Sequence, residues 1–411
     1  MRLMVIFLAS LFFSTAHAES YRWLQYTPGG IEARAITDQP ACPAAQIDGA
    51  AATMTLRAEP DAAFPVRVCA LAIPATASAA SVDSVPLALP SAQLKRIAVI
   101  GDTGCRMKGD YVQACNDPTQ WPFPLITQVV AQFKPDLVIH VGDYHYRETP
   151  CPGGDKGCAG SPSGDNWAVW RADFFVPAAT LLEAVPWVFV RGNHEECRRG
   201  GHGWSRTLEP FAFDAQSGCN GIAKPFAARL PGLTLVVMDV AGAREDKADD
   251  AQAAFYHEQY QAIAQMGGPP VWLLAHRPVW SPGGKVGDML LGDNKTLEAA
   301  ANGRMPDNVT MMLSGHHHLF QVLSYAADLP VQVISGHGGD YLNPRTDSDP
   351  TGWVVGGITV KSGVNITGTF GFSMLEKRDD GWQLAAYDRL GGVLESCSMK
   401  GRDADCKPGA K

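Results

Sequence analysis

Five short motifs between Gly101 and His318 constrain this chain more than any other feature of it. They are Gly101-Asp102-Thr103-Gly104, Gly142-Asp143-Tyr144-His145-Tyr146, Gly192-Asn193-His194-Glu195, His276, and Gly315-His316-His317-His318. Each follows an apolar run that reads as a buried strand: Arg96 to Ile100, Leu137 to Val141, Trp187 to Val190, Val271 to Ala275, and Met311 to Ser314. Leu233 to Val240 reads as a further strand, while Leu125 to Phe133, Trp167 to Leu182 and Asp249 to Met266 carry helical spacing. Strands alternating with helices imply an α/β core. In such sheets ligands gather outside the carboxyl ends of the strands, so the five tips are expected to converge.

Taken singly, a Gly-Asp or Gly-Asn after a strand is an ordinary turn, and His276 alone would be a packed core histidine. Five such tips in one core would crowd carboxylates, an amide and imidazoles together with nothing to stabilise them, unless a cation binds there. The donors are oxygen and nitrogen without thiolate, a set suited to hydrolytic iron, zinc or manganese. Seven side chains, Asp102, Asp143, Tyr146, Asn193, His276, His316 and His318, are too many for one open ion. They suit two ions roughly 3.5–4 Å apart with a shared carboxylate. His316 and His318 lie two apart and share a face at the strand end, and His317 points away. Tyr146 admits a second reading, as a stacked aromatic of the wall.

Composition narrows the partners. The 411 residues hold 34 Lys+Arg against 42 Asp+Glu, a formal charge of -8, with no basic run. That argues against a nucleic-acid surface or an anionic membrane as partner, and leaves a small anionic substrate drawn by bound cations. Arg2, the apolar run Leu3 to Phe13 and Ala16-His17-Ala18 form a signal-peptide pattern over residues 1–18. No later stretch reaches the ~18 apolar residues of a spanning helix. The expected mature chain is therefore secreted or periplasmic and spans no membrane. Export suits the ten cysteines, which fall as neighbours: Cys42 and Cys69, Cys105 and Cys115, Cys151 and Cys158, Cys197 and Cys219, Cys397 and Cys406. Sequential disulfides are expected.

Outside the core, residues 19–95 hold short β-prone pieces (Tyr21 to Tyr26, Ala52 to Leu56, Phe64 to Leu71) and then an Ala/Ser/Pro stretch. These read as a small β module with a linker. Phe370 to Glu376, Trp382 to Leu390 and Val393 to Met399 form a meander that finishes a catalytic region over 96–399, and 400–411 is left as a tail.

The ordered motifs GDTG, GDYHY, GNHE, the strand ending in His276, and GHHH resemble the calcineurin-like metallophosphoesterases. GD-x-x-Y is similar to the purple acid phosphatase branch. Likeness to its tartrate-resistant members extends through His276-Arg277-Pro278-Val279-Trp280-Ser281 and Val333-Ile334-Ser335-Gly336-His337-Gly338. The resemblance implies a four-layer α/β/β/α sandwich and an acid phosphatase that hydrolyses phosphate monoesters, a bound water acidified by two ions attacking phosphorus. It implies an Fe(III) ion on Asp102, Tyr146 and His318, a second ion of Fe(II), Zn(II) or Mn(II) on Asn193, His276 and His316, and Asp143 bridging.

His194 would contact phosphate and assist the leaving group. The tartrate-resistant relatives carry a second pocket histidine nine residues beyond His276. Here Lys285 stands in that place, and it is expected to clamp substrate as a point charge. Glu195, His145, Arg147, Arg191 and His337 are candidate supporting residues, and Trp170, Trp204 and Trp280 candidate wall aromatics. Two other functions fit the same sequence: a phosphodiesterase or nucleotide hydrolase with this metal site, and a non-catalytic binding protein on the same scaffold. The oligomeric state has no sequence signature.

Overall fold

The computed structural model describes residues 20–268, 270–286, 289–344 and 349–408. The expected leader, 1–18, lies outside the described residues. Two large sheets form the centre. The first runs Asp403–Pro408, Val393–Lys400, Gly381–Asp388, Gly371–Arg378, Arg96–Ile100, Leu137–His140, Trp187–Phe189, Ser20–Thr27, Gly30–Thr37, Arg67–Ile73, Thr55–Ala58. The second runs Phe226–Leu230, Leu233–Val237, Val271–Leu274, Val309–Ser314, Val331–Ser335, Phe320–Tyr325, Ile358–Ile366, Val354–Val355. The strands that end in the motifs pair in parallel within each sheet, so their carboxyl ends lie on one side.

Alternation along the strands builds the layers. Ile97, Val99, Leu137 and Ile139 face Leu235, Trp272, Leu274, Met311 and Leu313 of the other sheet and form the central core. Their neighbours Ala98, Ile100 and Val138 turn outward onto Phe123, Ile126 and Val130 and onto Leu181 and Leu182. These outer residues come from the helices Phe123–Gln132 and Val176–Ala184. On the far side Val271, Leu273 and Met312 meet Tyr256, Tyr260 and Ile263 of the helix Asp250–Ile263, with Leu297 and Ala300 of Lys295–Ala301. The result is the expected helix, sheet, sheet, helix sandwich. Among the described residues no helix is long and apolar enough to cross a membrane.

The expected helix from Trp167 to Leu182 is interrupted. It opens as Trp167–Trp170, widens into a π-helical turn at Arg171–Phe175, and resumes as Val176–Ala184. Pro177 has no N–H to donate to the carbonyl of Asp173, so the regular ladder cannot pass this point. Instead the Val176 N–H reaches back to the Arg171 carbonyl. The widened turn presents Asp173 to the second motif, where it accepts from the Tyr146 N–H at 3.0 Å and the Arg147 Nε at 2.5 Å.

The N-terminal segment differs from the expected separate module. Ser20–Thr27 lies against Trp187–Phe189 in parallel, with Gln25 opposite Trp187, and Gly30–Thr37, Arg67–Ile73 and Thr55–Ala58 continue the first sheet. Only Ala44–Ile47, Ala50–Thr53, Ala80–Val82 and Val85–Pro86 form a small sheet of their own. Trp23 and Tyr21 enter the same core as Trp187 and Phe175, and that burial drives the union.

Arginines reinforce it. Arg34 donates to the carbonyls of Thr207 and Glu209, and Arg57 to those of Ser205, Arg206 and Glu209. They cap the carboxyl end of the helix Gly201–Thr207, whose last carbonyls have no partner within it. At the other terminus the expected tail contains Asp403–Pro408, an edge strand paired with Val393–Lys400. The disulfides join Cys42–Cys69, Cys105–Cys115, Cys151–Cys158, Cys197–Cys219 and Cys397–Cys406, the sequential set.

Candidate metal centre

The five tips meet. Tyr146 Oη lies 2.8 Å from Asp143 Oδ2, 3.2 Å from Asp102 Oδ1 and 3.1 Å from His318 Nε2. On the other side of Asp143, His276 Nε2 is 3.1 Å from Asp143 Oδ2 and 3.1 Å from Asn193 Oδ1. Donor atoms of Asp143, His276 and His316 fall within 4.8 Å of one another. Asp143 is thus common to two clusters, one with Asp102, Tyr146 and His318, the other with Asn193, His276 and His316.

Local backbone conformation makes the approach possible. Asp102, Asp143 and His316 all have positive φ, at 55°, 60° and 70°, a region that non-glycine residues adopt at a cost and that clusters at functional sites. The preceding glycines leave the necessary room. A Cβ on Gly192 would stand 2.1 Å from Asp143 Oδ1, and one on Gly315 would stand 2.4 Å from Asp102 Oδ2.

Each histidine is oriented through its second nitrogen, as metal-binding imidazoles usually are. His276 Nδ1 is 2.7 Å from the Val141 carbonyl, and His318 Nδ1 is 2.5 Å from the Tyr341 carbonyl. His316 Nε2 is engaged by Glu245 and lies 3.3 Å from Arg277, which leaves Nδ1 free for an ion. His317 turns away, 2.9 Å from the Ser281 carbonyl.

The electrostatics call for cations. Burial, and then the carboxylates of Asp143, Asp340 and Asp102, push the Tyr146 phenol well above its ordinary value, so a phenolate here needs a positive ion. Burial alone would lower His276, but Asp143, Asp102 and the Val141 carbonyl together outweigh it and lift the imidazole to about 9. Burial and then Asp143 raise Glu195 above the usual carboxylate range. Yet Glu195 accepts the N–H groups of Gly192, Asp143, Tyr144 and His145, so neither oxygen has room for a proton. Positive charge in the cluster would reconcile the two. The donor set, its orientation and its excess negative charge all fit two metal ions.

The calcineurin-like phosphoesterase family model matches residues 95–320, more than half of the sequence. The chain belongs to the calcineurin-like phosphoesterase family. It is a metal-dependent hydrolase of phosphoric esters. No curated protein matches it in sequence. Among solved structures, this phosphoesterase is similar to purple acid phosphatase PPD1 from yellow lupin (Lupinus luteus) seeds at 13% identity. That match has a TM-score of 0.58 and covers 94% of this chain and 75% of the other. It is also similar to PhoD at 11% identity and a TM-score of 0.54, over 95% of this chain and 92% of the other. At these identities the likeness shows the fold alone.

His194 stands beside the first cluster, its ring 3.8 Å from that of Tyr146 and its Nε2 4.0 Å from Asp143 Oδ2. Its Nδ1 is 2.7 Å from Glu148, and burial lowers the imidazole to about 4 even though Asp143 and Glu148 act to raise it. Lys285 is in the strand Gly284–Val286 opposite Leu290, but its side chain lies outside the described residues.

The supporting candidates separate. Glu195 staples two motif loops, Arg147 pairs with Asp173, and Arg191 donates to the Glu195 carbonyl at 2.9 Å and meets Asp239 at 3.3 Å. His145 turns from the site, with Nε2 3.1 Å from the Gly164 carbonyl. His337 is buried against Phe320. Trp170, Trp204 and Trp280 are packed in the outer cores and line no wall of the phosphoesterase site.

Sequence reasoning missed several neighbours. Asp340 is buried, 3.4 Å from His318 Nε2, and is held by Arg106, whose guanidinium lies 4.8 Å above the Tyr146 ring. The signal was present: Gly338-Gly339-Asp340 follows the strand Val331–Ser335, the same Gly-Asp pattern as the first two motifs. Glu148, Arg199 and Glu245 are loop charges that follow no glycine turn at a strand end and have no such signature, and Arg277 was read only as part of the stretch after His276.

Proposed function

We propose that this phosphoesterase is an exported acid phosphatase of the purple acid phosphatase type that hydrolyses phosphate monoesters at a pair of metal ions. Asp102, Tyr146 and His318 hold one ion, Asn193, His276 and His316 the other, and Asp143 bridges. The pair is Fe(III) with Fe(II), Zn(II) or Mn(II), since a phenolate favours a trivalent ion and imidazoles with an amide suit a divalent one. What supports the reading above all is the shared position of Asp143 between two donor clusters, one containing a buried tyrosine. Bound ions would supply Lewis acidity and an acidified water.

The chain's own residues do the rest. His194 points Nε2 toward the clusters, contacts the phosphoryl group and serves the leaving oxygen, while Glu148 fixes the ring through Nδ1. Lys285 is assigned to substrate clamping. Five disulfides support export to an oxidising compartment.

The test uses purified full chain, stripped of metal and then reloaded with iron, zinc or manganese. Phosphate release from 4-nitrophenyl phosphate should vanish on stripping and return on reloading with two equivalents bound. A protein that binds two equivalents and releases no phosphate from any ester would refute the reading.

A further inference from the structure

We propose that Arg199 is a substrate-binding residue of this site, a guanidinium that takes the extra terminal oxygen of a monoester and so sets its preference over diesters. This deepens the reading above and rests on its placement of substrate beside His194. Arg199 lies outside the five motifs, five residues after His194. Its Nη2 stands 2.7 Å from both ring nitrogens of His194, on the side of the imidazole that Nδ1 and Nε2 share, and so beside Nε2. That nitrogen in turn is 4.0 Å from Asp143 Oδ2. The guanidinium therefore reaches the place where His194 would meet a phosphoryl oxygen.

The group is held ready. Nε and Nη2 both engage Glu148 Oε1, Nε at 2.9 Å, and Nη1 lies 3.3 Å from the Asn193 carbonyl. Glu148 also meets His194 at 2.7 Å and Lys108 at 3.7 Å, so one carboxylate aligns the arginine and the histidine together. The Arg199 side chain is 20% exposed, which leaves it open to a ligand. Of the five N–H groups of a guanidinium, the contacts to Glu148, His194 and Asn193 engage Nε, Nη2 and one N–H of Nη1, which leaves the second N–H of Nη1 for an incoming oxygen.

A monoester presents three terminal phosphoryl oxygens and two negative charges, a diester two oxygens and one charge. A fixed cation beside the phosphoryl group therefore gains more from the monoester, through a charge-assisted hydrogen bond that the diester's second ester arm cannot make. Losing a hydrogen bond to a charged group should cost roughly 10- to 100-fold.

The experiment compares wild type, Arg199→Gln and Arg199→Lys, all metal-loaded full chains, on 4-nitrophenyl phosphate and bis(4-nitrophenyl) phosphate, which share a leaving group. Binding of inorganic phosphate is followed by calorimetry, and metal content by elemental analysis. Arg199→Gln should lower kcat/KM for the monoester about 10- to 100-fold, leave the diester within about threefold, and weaken phosphate binding by a comparable factor. Arg199→Lys should recover part of each loss, since it restores charge without the planar fork.

Equal losses on both esters, unchanged phosphate affinity, or loss of metal from Arg199→Gln would overturn the proposal. The last result would make Arg199 a brace for the Asn193 loop. A wild type without metal-dependent turnover would sink the phosphatase reading instead, and phosphate calorimetry would still decide Arg199.

Discussion

Glu195 offers a direct test of how the two central motifs are joined. Its carboxylate accepts four backbone N–H groups, from Gly192 and Asp143 at Oε2 and from Tyr144 and His145 at Oε1, at 2.8–3.1 Å. Glu195→Gln preserves size and shape but turns one oxygen into an NH2. Whichever way the amide sits, two buried N–H groups face a donor. At ~1–3 kcal/mol for each unsatisfied group, the loss is roughly 2–6 kcal/mol.

That loss falls on the loops carrying Asp143 and Asn193, so the metal centre should loosen with it, by about 10- to 100-fold in affinity. Scanning calorimetry with disulfides intact should show a melting temperature lower by on the order of 5 °C in both stripped and loaded protein. Elemental analysis after dialysis should find fewer ions retained than in wild type. A variant that melts within about 1 °C of wild type and keeps its metal would refute the argument, because the four bonds would then contribute nothing net.

With iron bound, Tyr146→Phe should abolish a broad visible charge-transfer band; an identical spectrum in the variant would remove Tyr146 from the ligand set. His194→Ala should slow phenyl phosphate more than 4-nitrophenyl phosphate, because the poorer leaving group needs the proton more, and equal losses would leave His194 a positioning role only. Burial, and then Asp239, lifts Glu209 from 4.5 to about 7. The folded chain holds this proton more tightly than the unfolded one, so the associated stability is full below about 4.5 and is lost as pH rises through about 7. Glu209→Gln should remove that slope and melt later than wild type at pH 8, by up to about 3 kcal/mol. Parallel pH profiles of melting would reject this.

The meeting of the seven candidate side chains was legible because each signal is local: a strand, a sharp turn that often needs glycine, then a polar side chain that could hold an ion. Continuous apolar runs likewise gave the strands, since one face of each meets the other sheet and the opposite face meets helices, so both are buried. Asp340 escaped because its Gly-Asp pair stands further from its strand end, after His337. The place of the N-terminal strands was not legible, because their pairing depends on Trp187 and no local pattern announces so distant a neighbour. The break at Arg171–Phe175 has a local cause in Pro177, but its consequence, a carboxylate aimed at Tyr146 and Arg147, appears only in three dimensions. The three tryptophans show the converse limit, since apolar bulk reads the same whether it will wall a cleft or fill an interior.

The seam between Gln25 and Trp187 has a practical bearing on any attempt to dissect the molecule. Cutting near residue 95, where the text of the chain changes character, would strip a partner from a central strand and bare an unpaired ribbon prone to self-association. It would also uncover the carbonyls that Arg34 and Arg57 now satisfy, one helix away from the loop bearing Asn193. What resembles an appendage is masonry, and an enzyme shortened to its recognisable portion would be missing part of its own wall.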